Sequence, residues 1–404
     1  MRILYFTSTD VSLPNGPGVN EREFILAGLA SQECTFFAVV PRPERNFDLP
    51  ISDRVTLIHP HQRRRLVPYM IHSVALFSTV RSLIRRFKVD LLVCRPGALP
   101  LADYWLSKVS PRPLAIFSSG EHLDLPEGIR SRLAYWPHKV MFESVLRRAV
   151  AVDFPTPQIW SEYCQLFPRN QPRFRCIENA TNTERFFPVD TYEARRTLQI
   201  PCFDPVVGFA GGSPWERGGQ IVVEAVASLK PKFPRLGGIV VGGGKRLDSL
   251  RQRAEKLGVA ENCLFTGSVS YEAVNLYINA FDLGLSFDRP ERAAKIGNSS
   301  QKVRQYLACG KPVVFQGYGN GFLTEHGFGQ SVDIDDLPAT CTAIEHWLAL
   351  PREQKNQIAL EARQFAVEHL SAKDTFRQRL SFWQHSLDQL TEPNPAVRDA
   401  YRQL

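Results

Sequence analysis

The feature that most constrains the fold is a strand–turn–helix alternation that runs along the chain twice. In the first half, strand candidates such as Arg2–Thr7 and Asp90–Cys94 alternate with helix-like stretches such as Glu21–Leu29. A proline-rich stretch, 187–205, interrupts the pattern, and a second series begins with Pro205–Ala210. Strands that alternate with helices predict parallel sheets covered by helices. The sequence therefore predicts an α/β protein with two doubly wound domains in tandem.

The chain length agrees with two domains, since 404 residues exceed the usual size of one. We place the N-terminal domain at 1–190 and the C-terminal domain at 200–372, with the proline-rich stretch as the linker. Parallel α/β sheets bind ligands beyond the carboxyl ends of their strands. A cleft between the two domains is therefore the predicted ligand site.

The cysteines indicate neither a metal site nor a disulfide framework. All 8 are scattered singly without CxxC spacing, and no histidine cluster accompanies them. Cys94, Cys263 and Cys309 lie in apolar stretches, which is typical of buried free thiols in a reducing compartment. The first residues do not form a signal-peptide pattern. We therefore expect a cytoplasmic protein.

A basic and apolar segment occupies 63–88 in a chain whose formal net charge is +8. Its basic residues are Arg63, Arg64, Arg65, Arg81, Arg85, Arg86 and Lys88. Polar residues interrupt its apolar stretch, Leu66–Ile84, so we do not expect a membrane span. One interpretation is a helix packed on a sheet with a solvated basic face. The other is a patch for the inner membrane surface or an anionic acceptor. No nucleic-acid motif accompanies it, so we expect no nucleic-acid partner.

More specific motifs appear in the second series and at the borders of the first. In chain order they are Asn15–Val19 (NGPGV), Asn179–Pro188 (NATNTERFFP), Ala210–Gly218 (AGGSPWERG), Gly242–Gly244 (GGG), Phe265–Val269 (FTGSV) and Lys302–Val314 (KVRQYLACGKPVV). Each motif alone is weak, but their order and separations are specific. Together they resemble the large retaining glycosyltransferase family 4, glycosyl transferases group 1, over nearly the whole chain.

This resemblance implies a GT-B fold, in which two Rossmann-like domains face a central cleft. It implies that the C-terminal domain binds a nucleotide-sugar and that the N-terminal domain binds the acceptor. The reaction it implies is transfer of a hexose-type sugar with retention, as in polysaccharide biosynthesis. The acceptor class stays open between a glycan, a lipid-linked or anionic molecule and a small molecule. The C-terminal helix, within 374–404, is expected to pack back on the first domain.

The residues of the C-terminal motifs suit a nucleotide diphosphate. Gly211, Gly212 and Gly218 let backbone N–H groups approach phosphate at a helix start, and Arg217 offers charge-assisted hydrogen bonds. Lys302 opens a helix, where its charge opposes the macrodipole unless it neutralises a phosphate. The alternatives are an ordinary glycine-rich turn and a solvated surface lysine.

The sequence departs from the family pattern at several of these positions. Gly212 stands where the family often has arginine, and Arg217 replaces its usual lysine, so Lys302 or Lys295 is expected to supply the second cation. The acidic pair of the family's E-x7-E motif falls on Gly297 and Gln305. Gln305 can still accept from ribose hydroxyls. The nearby candidates for binding the sugar are Asn298, Ser299 and Ser300.

Further candidates follow from the resemblance in the N-terminal domain and near the nucleotide base. They are His122 and Glu121 as catalytic groups, Gly16 and Gly18 as backbone contacts to the donor, and Val269, with Tyr271 stacking, at the base. Each has a plain alternative, namely a loop histidine, a Pro/Gly turn or packing. Arg95 follows a strand and is better interpreted as a surface salt bridge than as an acceptor contact.

The absence of a DxD motif predicts no metal cofactor, because cations and N–H groups can stabilise a leaving diphosphate. Asp335 and Asp336 precede a helix and are interpreted as a cap or a surface pair. Two other functions stay open. Gly297 and Gln305 suit a catalytically degraded GT-B domain that serves as a binding or assembly protein. The third is a nucleotide-sugar 2-epimerase on the same fold.

Overall fold

The structure, a computed structural model, describes residues 1–12, 16–43, 52–58, 66–97, 100–118, 129–288, 294, 297–317 and 319–391. The chain divides into two compact units. The second unit is Asn179–Ala372, and the first contains the N-terminal strand, Pro17–Glu178 and the chain from Lys373 onward. Each unit is built around its own parallel sheet, as the alternation predicted.

Strands and helices alternate through most of the described residues, which end in three successive helices. The strands are Arg2–Thr7 (β1), Thr35–Pro41 (β2), Val55–Ile58 (β3), Leu91–Arg95 (β4), Leu114–Phe117 (β5), Ala151–Phe154 (β6), Phe174–Cys176 (β7), Val206–Ala210 (β8), Gly237–Val241 (β9), Cys263–Gly267 (β10), Leu283–Ser286 (β11), Val313–Phe315 (β12) and Gly329–Ser331 (β13). The helices are Gly16–Ala30 (α1), Leu66–Phe87 (α2), Leu101–Val109 (α3), Ile129–Arg148 (α4), Pro157–Leu166 (α5), Thr191–Thr197 (α6), Gly219–Leu229 (α7), Leu247–Lys256 (α8), Tyr271–Asn279 (α9), Gln301–Ala308 (α10), Phe322–Glu325 (α11), Leu337–Ala349 (α12), Arg352–His369 (α13) and Ala372–Thr391 (α14).

The first unit has a parallel sheet in the order β3-β2-β1-β4-β5-β6-β7. Because the chain runs outward from β1 in one direction and then from β4 in the other, right-handed crossovers place helices on both faces. On one face, Phe24 of α1 and Trp383 of α14 share a buried core. On the other, α2 packs through Phe87, whose ring stacks on Phe37 of β2 with 4.2 Å between centroids.

The second unit repeats this plan with a parallel sheet in the order β10-β9-β8-β11-β12-β13. One face is covered by α9, α10 and α13, which contribute Ile278, Val303 and Ala362 to one core. The other is covered by α7, α8 and α12, with Val222 and Ile344 in a second core. Both strand neighbours of β8, namely β9 and β11, lie later in the chain, so the sheet reverses its winding direction between β8 and β11.

The boundary between the units lies earlier than the sequence indicated. Residues 179–190 were assigned to the N-terminal domain, yet they belong to the second unit. The backbone N–H of Asn179 donates to Ser299 Oγ at 3.0 Å, and its Nδ2 donates to the Ser299 carbonyl at 2.9 Å. The N–H of Val189 donates to Asn279 Oδ1 at 2.8 Å. These hydrogen bonds hold residues 179–190 against the second unit. The composition of this segment does not indicate them.

The predicted strands and helices agree with the structure to within about two residues at most ends, which is the usual spread of boundaries. The largest difference is α4, which begins at Ile129 rather than near Val140, and α1 begins at Gly16 rather than near Glu21. The short elements β3, α3, α11 and β13 were not predicted, and neither were α5 and α9. The latter two have signals, since Thr156 and Ser270 accept from the N–H groups of the first turns of α5 and α9.

Candidate functional site

The glycine turn after β8 forms a tight backbone cluster at the carboxyl end of the sheet. The Gly211 N–H donates to the Val241 carbonyl at 2.9 Å, and the Ser213 N–H donates to the Gly243 carbonyl at 3.1 Å. Gly242 has φ +130°, and a Cβ on it would lie 1.9 Å from the Gly211 carbonyl oxygen. Only glycine fits such an approach. The turns after β8 and β9 are thereby fixed against each other.

The same turn leads into α7 through a short 3₁₀ segment, Pro214–Arg217. Gly218 follows at φ +91°, and no side chain caps the N-terminus of α7. The first N–H groups of a helix lack intrahelical partners and favour anions. Gly212 lies half-buried in this turn. Gly211, Gly212 and Gly218 therefore lie in a turn that leads into an uncapped helix N-terminus, and their contact with a phosphate stays a prediction.

Lys302 is buried at the start of α10 and reaches the end of β8. Its Nζ lies 4.4 Å from the centroid of the Phe209 ring, and its Cε is 3.9 Å from an ideal Cβ on Gly211. The interpretation as a solvated surface lysine is therefore wrong. The fold of the second unit brings together two motifs, Ala210–Gly218 and Lys302–Val314, that lie about ninety residues apart in the chain.

Burial first, and then the charge of Arg217, lower the pKa of Lys302 to about 7, whereas the charge of Asp288 acts in the opposite direction. A cation in this position is unfavourable for two reasons, because it lacks water and because it faces the positive end of a helix. Arg217 itself is exposed. Two cations therefore share one strand end, and an anion bound there would relieve the cost of both.

Gln305 and Tyr306 follow Lys302 on α10 and are both buried. The Tyr306 hydroxyl accepts from the Ala210 N–H at 2.8 Å and donates to the Leu285 carbonyl at 3.4 Å. It ties the ends of β8 and β11, where direct pairing of the two strands has stopped at Gly284. Gln305 lies about one helical turn after Lys302, so the two residues share a face of α10.

The three candidates before α10 have mixed outcomes. Ser299 accepts from Asn179 through its Oγ and its carbonyl, so it serves the local fold rather than a free sugar site. Ser300 is the N-cap position of α10, and its carbonyl accepts from Arg304 Nη1 at 3.1 Å. Asn298 is buried, and Gly319 packs against its backbone. Lys295 lies outside the described residues.

The predicted base contacts belong to a packed region. Val269 packs against the core that contains Phe186. The Tyr271 ring meets Phe186 edge-on with 5.6 Å between centroids, and the Arg185 guanidinium lies 5.2 Å from the Tyr271 centroid. Phe186 and Arg185 therefore pack against Tyr271 within its own unit, and its stacking on a nucleotide base stays a prediction.

Two buried polar groups lie at neighbouring strand ends and were not among the predicted site residues. Ser286 Oγ, which ends β11, and Gln316 Oε1, which follows β12, are buried with no hydrogen-bond partner among the described residues. The Ser286 carbonyl accepts from the Gln316 N–H at 3.1 Å, so the two residues are adjacent. A buried oxygen without a partner is costly. Their position just after buried strands at the reversal point was the available signal.

In the first unit, the structure corrects two predictions and leaves others untested. Gly16 and Gly18 lie in the first turn of α1, not in a loop. Arg95 is buried and not on the surface, and its Nε lies 3.3 Å from Glu21 Oε1, so it forms an internal ion pair. His122 and Glu121 lie outside the described residues, so their predicted catalytic roles stay predictions.

No three His, Cys, Asp or Glu side chains are grouped for metal binding anywhere in the described part of the chain. Asp336 caps α12, since its Oδ1 accepts from the Ala339 N–H at 2.9 Å, which confirms the interpretation of this residue as a cap. The cysteines of the chain are free thiols, as expected. Cys263 is only partly buried, which the sequence did not indicate.

Comparisons with known proteins agree with this geometry. Residues 204–349, which include the glycine turn and Lys302, match the family described as Glycosyl transferases group 1. The structure is similar to sucrose-phosphate synthase from Thermosynechococcus elongatus, with TM-score 0.70, 16% identity and coverage of 96% of this chain and 99% of that one. It is also similar to HepE from Anabaena, solved with UDP and glucose, with TM-score 0.67, 19% identity and coverage of 95% and 99%.

The fold and the strand-end site define a protein of the GT-B class. More particularly, the chain resembles the group 1 glycosyltransferases, as its motifs indicated. One relative is the GDP-mannose-dependent alpha-(1-6)-phosphatidylinositol monomannoside mannosyltransferase of Mycolicibacterium smegmatis, which is 31% identical over 178 residues. That match covers 42% of this chain and 46% of the relative, so the chain spans about half the length of this curated relative.

Proposed function

We propose that the protein is a glycosyltransferase that takes a sugar from a nucleotide-sugar bound at the carboxyl ends of β8 and β11. One observation carries the proposal, namely the buried Lys302 beside the glycine turn with Arg217 as its neighbouring cation. Buried groups with strongly shifted pKa values cluster at functional sites, and a bound anion would compensate this cation. A nucleotide diphosphate supplies that anion, and the family match supplies the nucleotide-sugar.

The proposed chemistry uses the chain's own groups. The uncapped N-terminus of α7 and the two cations stabilise the diphosphate as it leaves the sugar. Because these groups supply positive charge directly, we expect transfer without a metal ion. The buried oxygens of Ser286 and Gln316 accept from hydroxyl groups of the donor. Retention of the anomeric configuration is proposed from the family resemblance.

The acceptor is proposed by likeness to the relatives. The mannosyltransferase acts, by its name, on a phosphatidylinositol monomannoside. Another relative, 29% identical over 210 residues, is a lipopolysaccharide core biosynthesis mannosyltransferase of Rhizobium meliloti. We therefore propose a lipid-linked or anionic acceptor, bound by the first unit, with transfer on the inner face of the membrane.

The test is calorimetric titration of the whole chain with UDP-, GDP-, ADP- and dTDP-sugars in buffer that contains EDTA. We expect micromolar binding of one donor class, and slow hydrolysis or transfer that releases the nucleoside diphosphate. NMR of the product sugar then reports its anomeric configuration. If no donor binds in EDTA but one binds after magnesium is added, metal independence is wrong. If none binds under either condition, the proposed function is wrong.

A second candidate function is a binding protein that has lost catalysis. Gly297 and Gln305 favour it, because they stand where the family has an acidic pair. Gly297 has φ +67° and offers no side chain to a ligand. This candidate predicts tight donor binding without release of nucleoside diphosphate in the presence of any acceptor. Product release above the rate seen with Lys302→Met excludes it.

A further inference from the structure

Helix α2 has two faces of different character. One face is buried in the first unit and contains His72, Ser73, Leu76, Val80, Leu83 and Ile84. The opposite face carries Val67, Met70, Ile71 and Val74, of which Val67 is 66% exposed and Ile71 65% exposed. Their spacing of three and four residues sets them in one stripe along the first two turns. Aliphatic side chains so exposed and so close form a contact surface rather than chance exposure.

The same stripe becomes basic farther along the helix. Arg81 and Arg85 continue it, and Arg86 and Lys88 lie beside them, all exposed. The helix contains no acidic residue. The ion pairs found among the described residues involve none of these four groups. The outer face of α2 thus offers an apolar end and a positively charged end; Arg81 and Arg86 lie over the rings of Phe77 and Phe87, and none of the four cations has a carboxylate partner in the described part of the chain.

The neighbouring helices extend this surface. Helices α2, α3 and α4 are successive crossovers in one direction, so they cover the same face of the sheet. On α4, Trp136 is 70% exposed, and Val140 lies one turn farther along the same side. Lys139 beside them is exposed as well. Tryptophan is the residue most suited to a boundary between apolar and aqueous phases.

These observations select one kind of occupant. By length and composition, Val67–Phe87 is apolar enough to cross a membrane, with a mean hydropathy of 1.2. Its other face, however, packs on the sheet, so it is built to lie flat. An in-plane amphipathic helix inserts its apolar side chains at the headgroup boundary, and its basic side chains pair with lipid phosphates. A surface that is apolar at one end and basic at the other is complementary to an anionic bilayer, which offers an apolar interior and lipid phosphates together.

We propose that the outer face of α2 and α4 is a docking surface for an anionic lipid bilayer. Val67, Ile71 and Val74 of α2 and Trp136 of α4 enter the interface, and Arg81 and Arg85 bind lipid phosphates. The proposal stands on this surface alone and does not require the glycosyltransferase activity. If the activity is also present, docking holds the first unit against lipid-linked acceptors.

The test is co-sedimentation of the full chain with vesicles of phosphatidylcholine alone and of phosphatidylcholine mixed with phosphatidylglycerol. We expect binding to the mixed vesicles that weakens with added salt, and much weaker binding to the neutral ones. The apolar triple variant Val67→Ser/Ile71→Ser/Val74→Ser and the basic double variant Arg81→Glu/Arg85→Glu should each weaken binding about tenfold or more.

Matched controls lie on the second unit. Leu360→Ser/Val367→Ser changes exposed aliphatic residues of α13, and Lys256→Glu/Arg352→Glu reverses as many charges elsewhere; neither should alter vesicle binding. Vesicle binding that is absent, or that survives both α2 variants, overturns the proposal. So does a dimer in solution that only the apolar variant dissociates, since the occupant is then a second copy. Resistance to alkaline extraction would indicate a membrane span instead.

Because vesicle binding and donor binding are measured separately, the failure of one proposal is distinguishable from the failure of the other. The apolar variant should keep its affinity for a soluble nucleotide-sugar. Its melting temperature should match that of the unaltered chain, since the replaced side chains are exposed.

Discussion

The two sheets reverse their winding at equivalent places but arrange charge there in opposite ways. In the first unit, at the β1–β4 reversal, Arg95 meets Glu21 at 3.3 Å, and both are buried. In the second unit, at the β8–β11 reversal, Lys302 and Arg217 are neighbours of like charge, and the effect of Arg217 on the pKa of Lys302 exceeds the opposing effect of Asp288. The first unit neutralises its own charges, whereas the second gathers cations whose charges an anion would compensate. The same topology thus yields a structural centre in one unit and, as we propose, a binding site in the other.

The structural centre of the first unit is a network rather than a single pair. The Tyr5 hydroxyl donates to Glu21 Oε2 at 2.7 Å. Burial, and then the charge of Glu21, raises the pKa of Tyr5 well above its ordinary value. The Arg95 guanidinium also lies 5.0 Å from the centroid of the Phe117 ring. Each group restrains its neighbour, so the network sets the geometry of α1 against the sheet.

The largest expected effect comes from breaking this pair. Arg95→Met leaves the Glu21 carboxylate buried without its cation, and we expect the free energy of unfolding to fall by about 3–5 kcal/mol. Urea denaturation measures the change. The double variant Glu21→Gln/Arg95→Met should recover part of the loss, because no uncompensated charge remains. A cost for Arg95→Met below about 1 kcal/mol, as for exposed pairs, would contradict the contrast between the units.

The opposite result is expected in the second unit. Lys302→Met removes a buried cation that the folded chain accommodates at a cost, so the ligand-free protein should melt at a higher temperature. Affinity for the nucleotide-sugar should fall about tenfold to a hundredfold, because a charge-assisted hydrogen bond is worth about 1.5–3 kcal/mol. Calorimetric titration and thermal melting measure the two effects.

The chain supplies a matched control for this variant. Lys311 is a second buried lysine of the same unit, and burial lowers its pKa to about 8. Its Nζ donates to Thr191 Oγ1 at 2.9 Å, so it already has an internal partner. Lys311→Met should leave donor affinity unchanged and should lower stability. If Lys302→Met and Lys311→Met behave alike, Lys302 is a structural residue.

The contrast between the units also separates what the sequence could predict from what it could not. The alternation of strands and helices sets the fold class, because a period of two and a period near 3.6 are both legible in one sequence. The glycines of the turn after β8 and Lys302 could be selected as phosphate candidates, although an ordinary turn and a surface lysine were open alternatives. Gly211 and Lys302 could be linked through the resemblance to a known family, since about ninety residues separate them.

Burial and partner choice were not predictable in the same way. Arg95 and Lys302 each stand at the end of an element in sequence, and nothing local tells that both are buried. Ser299 is a polar residue of the kind found in binding loops, but its Oγ accepts from the N–H of Asn179, 120 residues earlier in the chain. Ser286 and Gln316 gain interest only because the sheet order makes their strand ends neighbours. Such facts depend on tertiary pairing, which periodicity does not encode.

Gly218 allows the rigidity of the binding turn to be measured against an ordinary helix end. Gly218→Ala places a methyl group at φ +91°, where its carbon would lie 2.6 Å from Phe287 Cβ. Gly258→Ala also has positive φ, +67°, but nothing lies within 4 Å of the added carbon. We expect Gly218→Ala to cost about 1–3 kcal/mol more than Gly258→Ala, because it adds overpacking to backbone strain. If urea denaturation gives the same loss of unfolding free energy for both variants, the turn relaxes around the added methyl group.

The smallest expected effect is the pH dependence of donor binding. The free Lys302 has a pKa of about 7, and a bound diphosphate raises that pKa because it favours the charged form. Binding therefore takes up a proton above pH 7, and affinity falls as the pH rises. Between pH 7 and pH 8 the apparent Kd should increase about fivefold. The phosphodiester groups of a nucleotide-sugar do not titrate in this range, so Lys302→Met should abolish the dependence, and Lys311→Met should retain it. A Kd that does not change with pH in the unaltered chain would show that the diphosphate does not bind next to Lys302. The second unit would then lack the uncompensated cation that distinguishes it from the Arg95–Glu21 pair of the first unit.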